Sequence, residues 1–301
     1  MFDAILAEYN NYNKAIRHPG YRYSHFIVIL LLYEILMLFG RTDKAVEYNG
    51  IEIWFQAFYL IDPLVSLVVS VLFCLYFYYY LRLDLTGTKT AAEIQKDRAI
   101  AGSIKKKYKT HDPLGLLPVP KYKPRPKPKF KINWYHWGFM IAEGVVWGGL
   151  IFIILPMVVF GAMGAIDPSF HLPQPVDVLK PMRPYQTNLV QDIALSLGGG
   201  FYAEWIFREW MSGKLPKWLT SGYVKKYVSV GKSQMNLAVM IVGSIIYALS
   251  HYVPPYGDLF HAYSLIYRIA FGILMYQLFK RRNLGIAVWA HIIYNFLYFR
   301  L

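Results

Sequence analysis

The chain has 301 residues, of which 56% are hydrophobic, 18% aromatic and only 17% charged, with a formal net charge of +14. That apolar content excludes a disordered or collagen-like chain, and the single cysteine, Cys74, excludes a disulfide scaffold. The basic balance raises a nucleic-acid binder, but the Lys and Arg residues lie mostly between apolar runs, so the sequence reads as an all-α polytopic membrane bundle.

Seven stretches approach or exceed the ~20 apolar residues that cross a hydrocarbon core as a helix. They lie near 24–40, 54–81, 134–162, 186–211, 235–252, 259–279 and 284–300. Residues 1–23 are polar and rich in Asn and Tyr, so no secretory signal precedes the first span. The segments between spans alternate in Lys and Arg content: three before the first span, then two, fourteen, two, six, none and three. This alternation predicts a cytoplasmic N-terminus and cytoplasmic second, fourth and sixth loops. The domain reading follows: 1–23 a cytoplasmic segment, 24–81 two N-terminal spans, 82–133 a basic Pro-rich cytoplasmic loop, 134–185 the third span and its outer loop, and 186–301 a C-terminal domain. The loop carries Lys105-Lys106-Lys107-Tyr108-Lys109 and the run Lys121 to Lys129, in which alternating prolines favour an extended chain. Membrane lipid with an anionic surface is the expected partner of that loop, and no nucleic acid is expected.

Charged and imidazole groups in a membrane core mark a functional site or a buried pair. They are Glu34, Asp62, Glu143, Asp192, Glu204, Arg208, His251, Arg268 and His291, with Glu209 at a span end within reach of water. Glu34, Asp62 and Asp192 read as structural. Glu143 precedes Gly144 in a Gly144-x-x-x-Gly148 close-packing motif and is expected to pair with a basic residue on another helix. Glu204 and Arg208 share a helix face, as do His291 and Asn295, because each pair is four residues apart.

Four of these groups fall in three ordered motifs: Ala203-Glu204-x-x-x-Arg208, Tyr247-x-x-x-His251 and His291-x-x-x-Asn295. Together they resemble the motifs of the CPBP family of intramembrane proteases, which includes the type II CAAX prenyl endopeptidases and Abi-like proteins. The resemblance covers about residues 186–300. It implies an intramembrane endopeptidase, with Ala203, Glu204, Arg208, His251, His291 and Asn295 at the catalytic site. Tyr247 stands where the family has Phe and keeps the ring. Ala203 stands where the family has the first glutamate, the residue expected to activate the attacking water, so the resemblance implies an inactive form of the enzyme. Asn295 is the implied oxyanion donor. His251 and His291 are implied to orient water or to ligate Zn2+ or another divalent metal. The implied substrate is a peptide or membrane protein, prenylated in the eukaryotic case. The implied location is an integral membrane protein of the plasma (inner) membrane in a prokaryote or of the ER in a eukaryote. A different class stays open: a non-catalytic scaffold or immunity-type protein that binds a peptide or helix in the same cavity.

Other protease chemistries lack their residues. There is no H-E-x-x-H and no G-x-S-x-G, and Tyr256-Gly257-Asp258 has no second aspartate in a matching span. Counting helix rise from the expected boundaries puts Ala203 and His291 toward the cytoplasmic side but His251 further outward.

Overall fold

The computed structural model describes residues 2–39, 63–111, 126–166, 188–216, 232–253 and 260–300. Among them every regular element is a helix. In chain order these are α1 (Phe2–Ala15), α2 (Pro19–Phe39), α3 (Pro63–Thr86), α4 (Ala91–His111), α5 (Trp134–Ile166), α6 (Leu189–Glu204), α7 (Lys232–Ser250), α8 (Ala262–Arg281) and α9 (Leu284–Arg300). A ten-residue π-helical segment, Trp205–Lys214, continues α6 without a break. Asp62 and the tip of the basic loop lie outside the described residues.

Four of the described helical stretches are long and apolar enough to cross a membrane: Leu67–Thr86, Trp134–Ile166, Ser233–Ser250 and Ala262–Arg281. Their outer faces expose large apolar side chains, such as Leu72, Leu75 and Tyr79 on α3 and Ile153, Met157 and Val158 on α5. Such a band is lipid-facing surface, and the molecule is a polytopic membrane bundle. The expected spans 24–40, 186–211 and 284–300 are also helical, as α2, α6 with its π-helical extension, and α9, but they are not among those four. For α9 and α6 the reason is length, seventeen and sixteen residues against the ~20 of a full span, and α6 is also enclosed by protein. Thirteen of its sixteen residues are buried, from Gln191 to Glu204. A helix wrapped by protein needs no apolar face toward lipid, so it can carry glycines and charges.

The bundle is ordered around α9. It packs against α5 on one side and α6 on the other, α2 lies on α6, and α3 lies on α2. The α7–α8 pair closes the remaining side through the π-helical segment, α5 and α9. Glycine sets the closeness of α9 to both neighbours. A Cβ on Gly144 would sit 2.3 Å from Trp289 Cβ, and one on Gly148 2.5 Å from the Ala290 carbonyl oxygen. On the opposite face, a Cβ on Gly200 would sit 2.6 Å from Ile292 Cγ1 and 2.8 Å from its backbone nitrogen. The small-residue motif of α5 and the glycine run of α6 therefore clamp the stretch of α9 that carries His291.

The stretch 82–133 is not loop throughout. Asp84 lies within α3, and residues 91–111 form α4, opened by a reciprocal cap in which Thr90 Oγ1 accepts from the Glu93 backbone and Glu93 accepts from Thr90 N–H. Helix-forming Ala, Ile, Gln and Lys fill it, which charge counting alone does not register. Residues 126–133 form neither helix nor strand, and Pro126 and Pro128 disfavour a helix there. They fold back on the protein: Lys127 pairs with Asp84 at 2.7 Å, and Phe130 stacks on His18 at 4.3 Å between ring centroids. Burial disfavours the charged form of His18 and lowers its pKa, a fall that Asp84 partly offsets.

Candidate active site

The Ala203 to Arg208 motif sits where α6 gives way to the π-helix. Glu204 ends the α-helix and Arg208 lies in the first π turn, where i to i+5 bonding, such as Leu215 N–H to the Trp210 carbonyl, widens the helix. Both are buried, Glu204 at 0% and Arg208 at 1% exposure. Arg208 Nε lies 3.4 Å from Glu204 Oε2, and its guanidinium stands over the Tyr247 ring at 5.6 Å. The expected pair is present.

The same carboxylate reaches a second partner. Glu204 Oε1 lies 2.9 Å from His291 Nδ1, joining α6 to α9 inside the glycine clamp. The imidazole meets Phe271 edge-on at 4.9 Å and Tyr247 at 6.1 Å between ring centroids. His251 lies just beyond the end of α7, and its Nδ1 is 3.0 Å from the Tyr247 carbonyl oxygen. That bond folds the imidazole back one turn along α7, to 4.9 Å from the Tyr247 ring. Tyr247 thus lies edge-on to both histidines. The two ring distances together keep the imidazoles within the ~12 Å beyond which no bridging water or ligand could be shared. The outward depth computed for His251 from helix rise is reduced by this backward fold, since side chains lean toward a helix N-terminus; α7 itself starts at Lys232, no later than expected.

Ala203 is 1% exposed and belongs to an apolar cluster with Phe207, Tyr247, Phe271, Ala287 and Tyr294. Asn295, one turn beyond His291 on α9, is half-buried. The structure therefore gathers Glu204, Arg208, Tyr247, His251 and His291, with Ala203 in the apolar wall and Asn295 placed by helix register. The donor set does not fit a divalent metal. Among the described residues no three His, Cys, Asp or Glu side chains converge on a common point. The one carboxylate at hand already faces a guanidinium and spends an oxygen on His291.

The remaining intramembrane charges find partners elsewhere. Glu143 binds Arg282 through two contacts, Asp192 meets Arg300 at 3.2 Å, and Glu34 accepts from Ser70. Glu209, expected to reach water, is instead 9% exposed and paired with Arg22 at 2.8 Å. Arg268 stands over the Tyr252 ring at 5.1 Å. His25, absent from the intramembrane groups read from sequence, is fully buried, accepts from Trp289 Nε1 at 3.0 Å and stacks on Trp137. The signal was available, because a histidine inside an apolar run meets the criterion that selects His291.

Residues 185–297 match the family model described as "Type II CAAX prenyl endopeptidase Rce1-like". The match spans all three motifs. No curated protein and no solved structure matches the chain.

Proposed function

We propose, for a chain whose residues 185–297 form a domain of the CPBP family of membrane proteases, an intramembrane endopeptidase that hydrolyses a peptide bond near the membrane surface and is inactive in this form. The observation that carries the reading is the Glu204 carboxylate, which ties the first motif to the third at 2.9 Å while holding Arg208. A buried ion pair and two imidazoles edge-on to one tyrosine are costly in hydrocarbon, and a peptide-hydrolysing centre gives them a use.

Hydrolysis adds water across the amide: its oxygen bonds to the carbonyl carbon, a base takes its proton, the C–N bond breaks and the amine leaves protonated. His251 and His291 flank the place for that water. Asn295 is the oxyanion donor. The base is missing, since Ala203 has no group that accepts a proton, and Glu204 is held back by Arg208. The alternation of Lys and Arg between apolar runs supports a site toward the cytoplasmic side, a cytoplasmic N-terminus and seven spans. Substrates are peptides or membrane proteins presented from the bilayer, with prenylated C-terminal peptides the first to try.

Ala203→Glu is the test. Beside the parent, on a panel of membrane-anchored peptides with and without a prenyl group, it is expected to raise cleavage by ~10²–10⁴-fold. His251→Ala or His291→Ala should then abolish the gain. Equal rates with and without the glutamate would remove position 203 from the mechanism. A second reading draws on the apolar packing of Ala203: a scaffold or immunity-type protein that holds a peptide or helix in the same cavity. It is favoured if neither form cleaves and both bind the same partner.

A further inference from the structure

We infer that α4 is an in-plane membrane helix: its Ile94, Ala101 and Ile104 face enters the cytoplasmic leaflet, and its basic face binds anionic phospholipid headgroups of the bilayer that the chain spans. This is independent of any protease activity. Basic residues throughout 82–133 suit an anionic surface, and the structure divides them into two groups. Residues 126–133 are engaged with protein: Lys127 Nζ lies 2.7 Å from Asp84 and 3.4 Å from Glu93, and Phe130 stacks on His18. α4 differs, because among the described residues no other helix packs along it.

The root of α4 is held at the membrane. Near its cytoplasmic end α3 exposes Tyr76, Tyr78 and Tyr79, as the aromatic belt of a span does at headgroup level. Gly87, at φ 69°, then caps α3, with Thr88 N–H donating to the Leu83 carbonyl at 2.9 Å, and turns the chain out of the helix direction. Lys127 bridges Asp84 on α3 to Glu93 in the first turn of α4, so α4 starts where α3 leaves the bilayer.

The two faces of α4 fit a headgroup layer better than water. Ile94, Ala101 and Ile104 recur at spacings of seven and three, which places them on one side of the helix. Ala101 and Ile104 are half-buried, whereas Gly102 and Ser103 between them are exposed, and Ile94 is 41% exposed. Asp97 shares the apolar side, but Lys89 pairs with it at 2.5 Å. Lys96 and Lys106 fall on the opposite side, with Arg98 on its flank. The helix holds six basic residues against two acidic ones, Glu93 and Asp97, both paired with lysine. Long basic side chains over a narrow apolar face make an interfacial helix with a preference for anionic lipid. A single aromatic residue, Tyr108, is too few for the stacking platform a nucleic acid needs.

The test uses the full chain in lipid nanodiscs. With Cys74→Ala removing the native thiol, Ala101→Cys and Ser103→Cys each carry an environment-sensitive fluorophore, one on each face of α4. Iodide quenches from water, and a nitroxide on the lipid chains quenches from the bilayer. With phosphatidylglycerol present, the probe at Ala101 should be quenched by the nitroxide and shielded from iodide ~10-fold more than in phosphatidylcholine alone, while the probe at Ser103 stays open to iodide. Raising salt to ~0.5 M should remove the shielding, as should Lys96→Glu combined with Arg98→Glu and Lys106→Glu. The salt arm needs no change to the basic face, so it decides the matter even if the triple variant fails to fold. Equal iodide access at both positions in anionic discs overturns the inference, and so does shielding that is the same in the two lipids. Shielding that appears only on adding RNA or polyglutamate also overturns it, and gives the face to a soluble polyanion.

Discussion

Glu143 on α5 and Arg282 in the turn between α8 and α9 form a two-pronged ion pair, Nε to Oε1 at 2.5 Å and Nη2 to Oε2 at 2.7 Å. Tyr12 donates to the same carboxylate at 2.9 Å, and Asn13 accepts from Arg282, so the pair also seats the N-terminal helix α1. The paired carboxylate raises the Arg282 pKa, and burial together with Glu143 raises that of the Tyr12 hydroxyl. The carboxylate is fully engaged in structure, which argues against its use as a spare base.

Glu143→Gln is accordingly expected to destabilise without touching chemistry. Removing one partner of a largely buried pair strands the guanidinium, at a cost of roughly 2–3 kcal/mol where some water still reaches it. Thermal unfolding in detergent should show the loss. In the Ala203→Glu background kcat should stay within twofold, and a collapse of kcat at unchanged stability would mark Glu143 as a catalytic group.

Glu204→Gln should lower stability more, because Arg208 has no water to turn to. An uncompensated arginine at such depth costs about 2.5 kcal/mol or more even on the mildest scale. Expression level and unfolding temperature should both fall. A purified variant as stable as its parent would recast Glu204 as the base itself.

Gly200→Ala tests the clamp on α9. The added methyl would meet the Ile292 backbone nitrogen at 2.8 Å, and backbone cannot swing aside as a flexible side chain can. Overpacking of this kind costs about 1–3 kcal/mol. Because Ile292 adjoins His291, activity of the Ala203→Glu form should fall further than stability accounts for. Gly149→Ala, where a Cβ meets nothing within 4 Å, is the matched control and should be neutral on both readouts.

The base of the bundle should loosen in mild acid. His18, whose pKa is lowered from 6.5 chiefly by burial, binds fewer protons folded than unfolded. Stability from its stacking on Phe130 is therefore full above pH ~6.5 and declines as pH falls through that value. Limited proteolysis at Lys129 and Lys131 should speed up between pH 7 and pH 5.5. His18→Phe should flatten that dependence, and an unchanged rate in the parent would sink the idea.

The sequence by itself determined the class of the molecule and the contacts that repeat along one helix. Apolar runs fixed the membrane bundle, and a spacing of four placed Glu204 beside Arg208, because helical periodicity makes such neighbours whatever the rest of the chain does. The three motifs were legible as well, being short patterns whose meaning is chemical. Charge counting missed α4 because net charge carries no information about propensity, and it left Glu209 in water because a span end says nothing of what packs over it.

Tertiary structure alone decided which distant groups meet. That Glu143 needed a basic partner followed from the cost of an isolated charge, but Arg282 is 139 residues away, and its choice depends on how α5 docks against the turn before α9. The Glu204–His291 bond is of the same kind, spanning 87 residues across a contact that Gly200 makes close enough. Helix periodicity constrains angle within a segment, whereas pairing between segments is set by side-chain volumes at their interface, and those act only once the helices are packed.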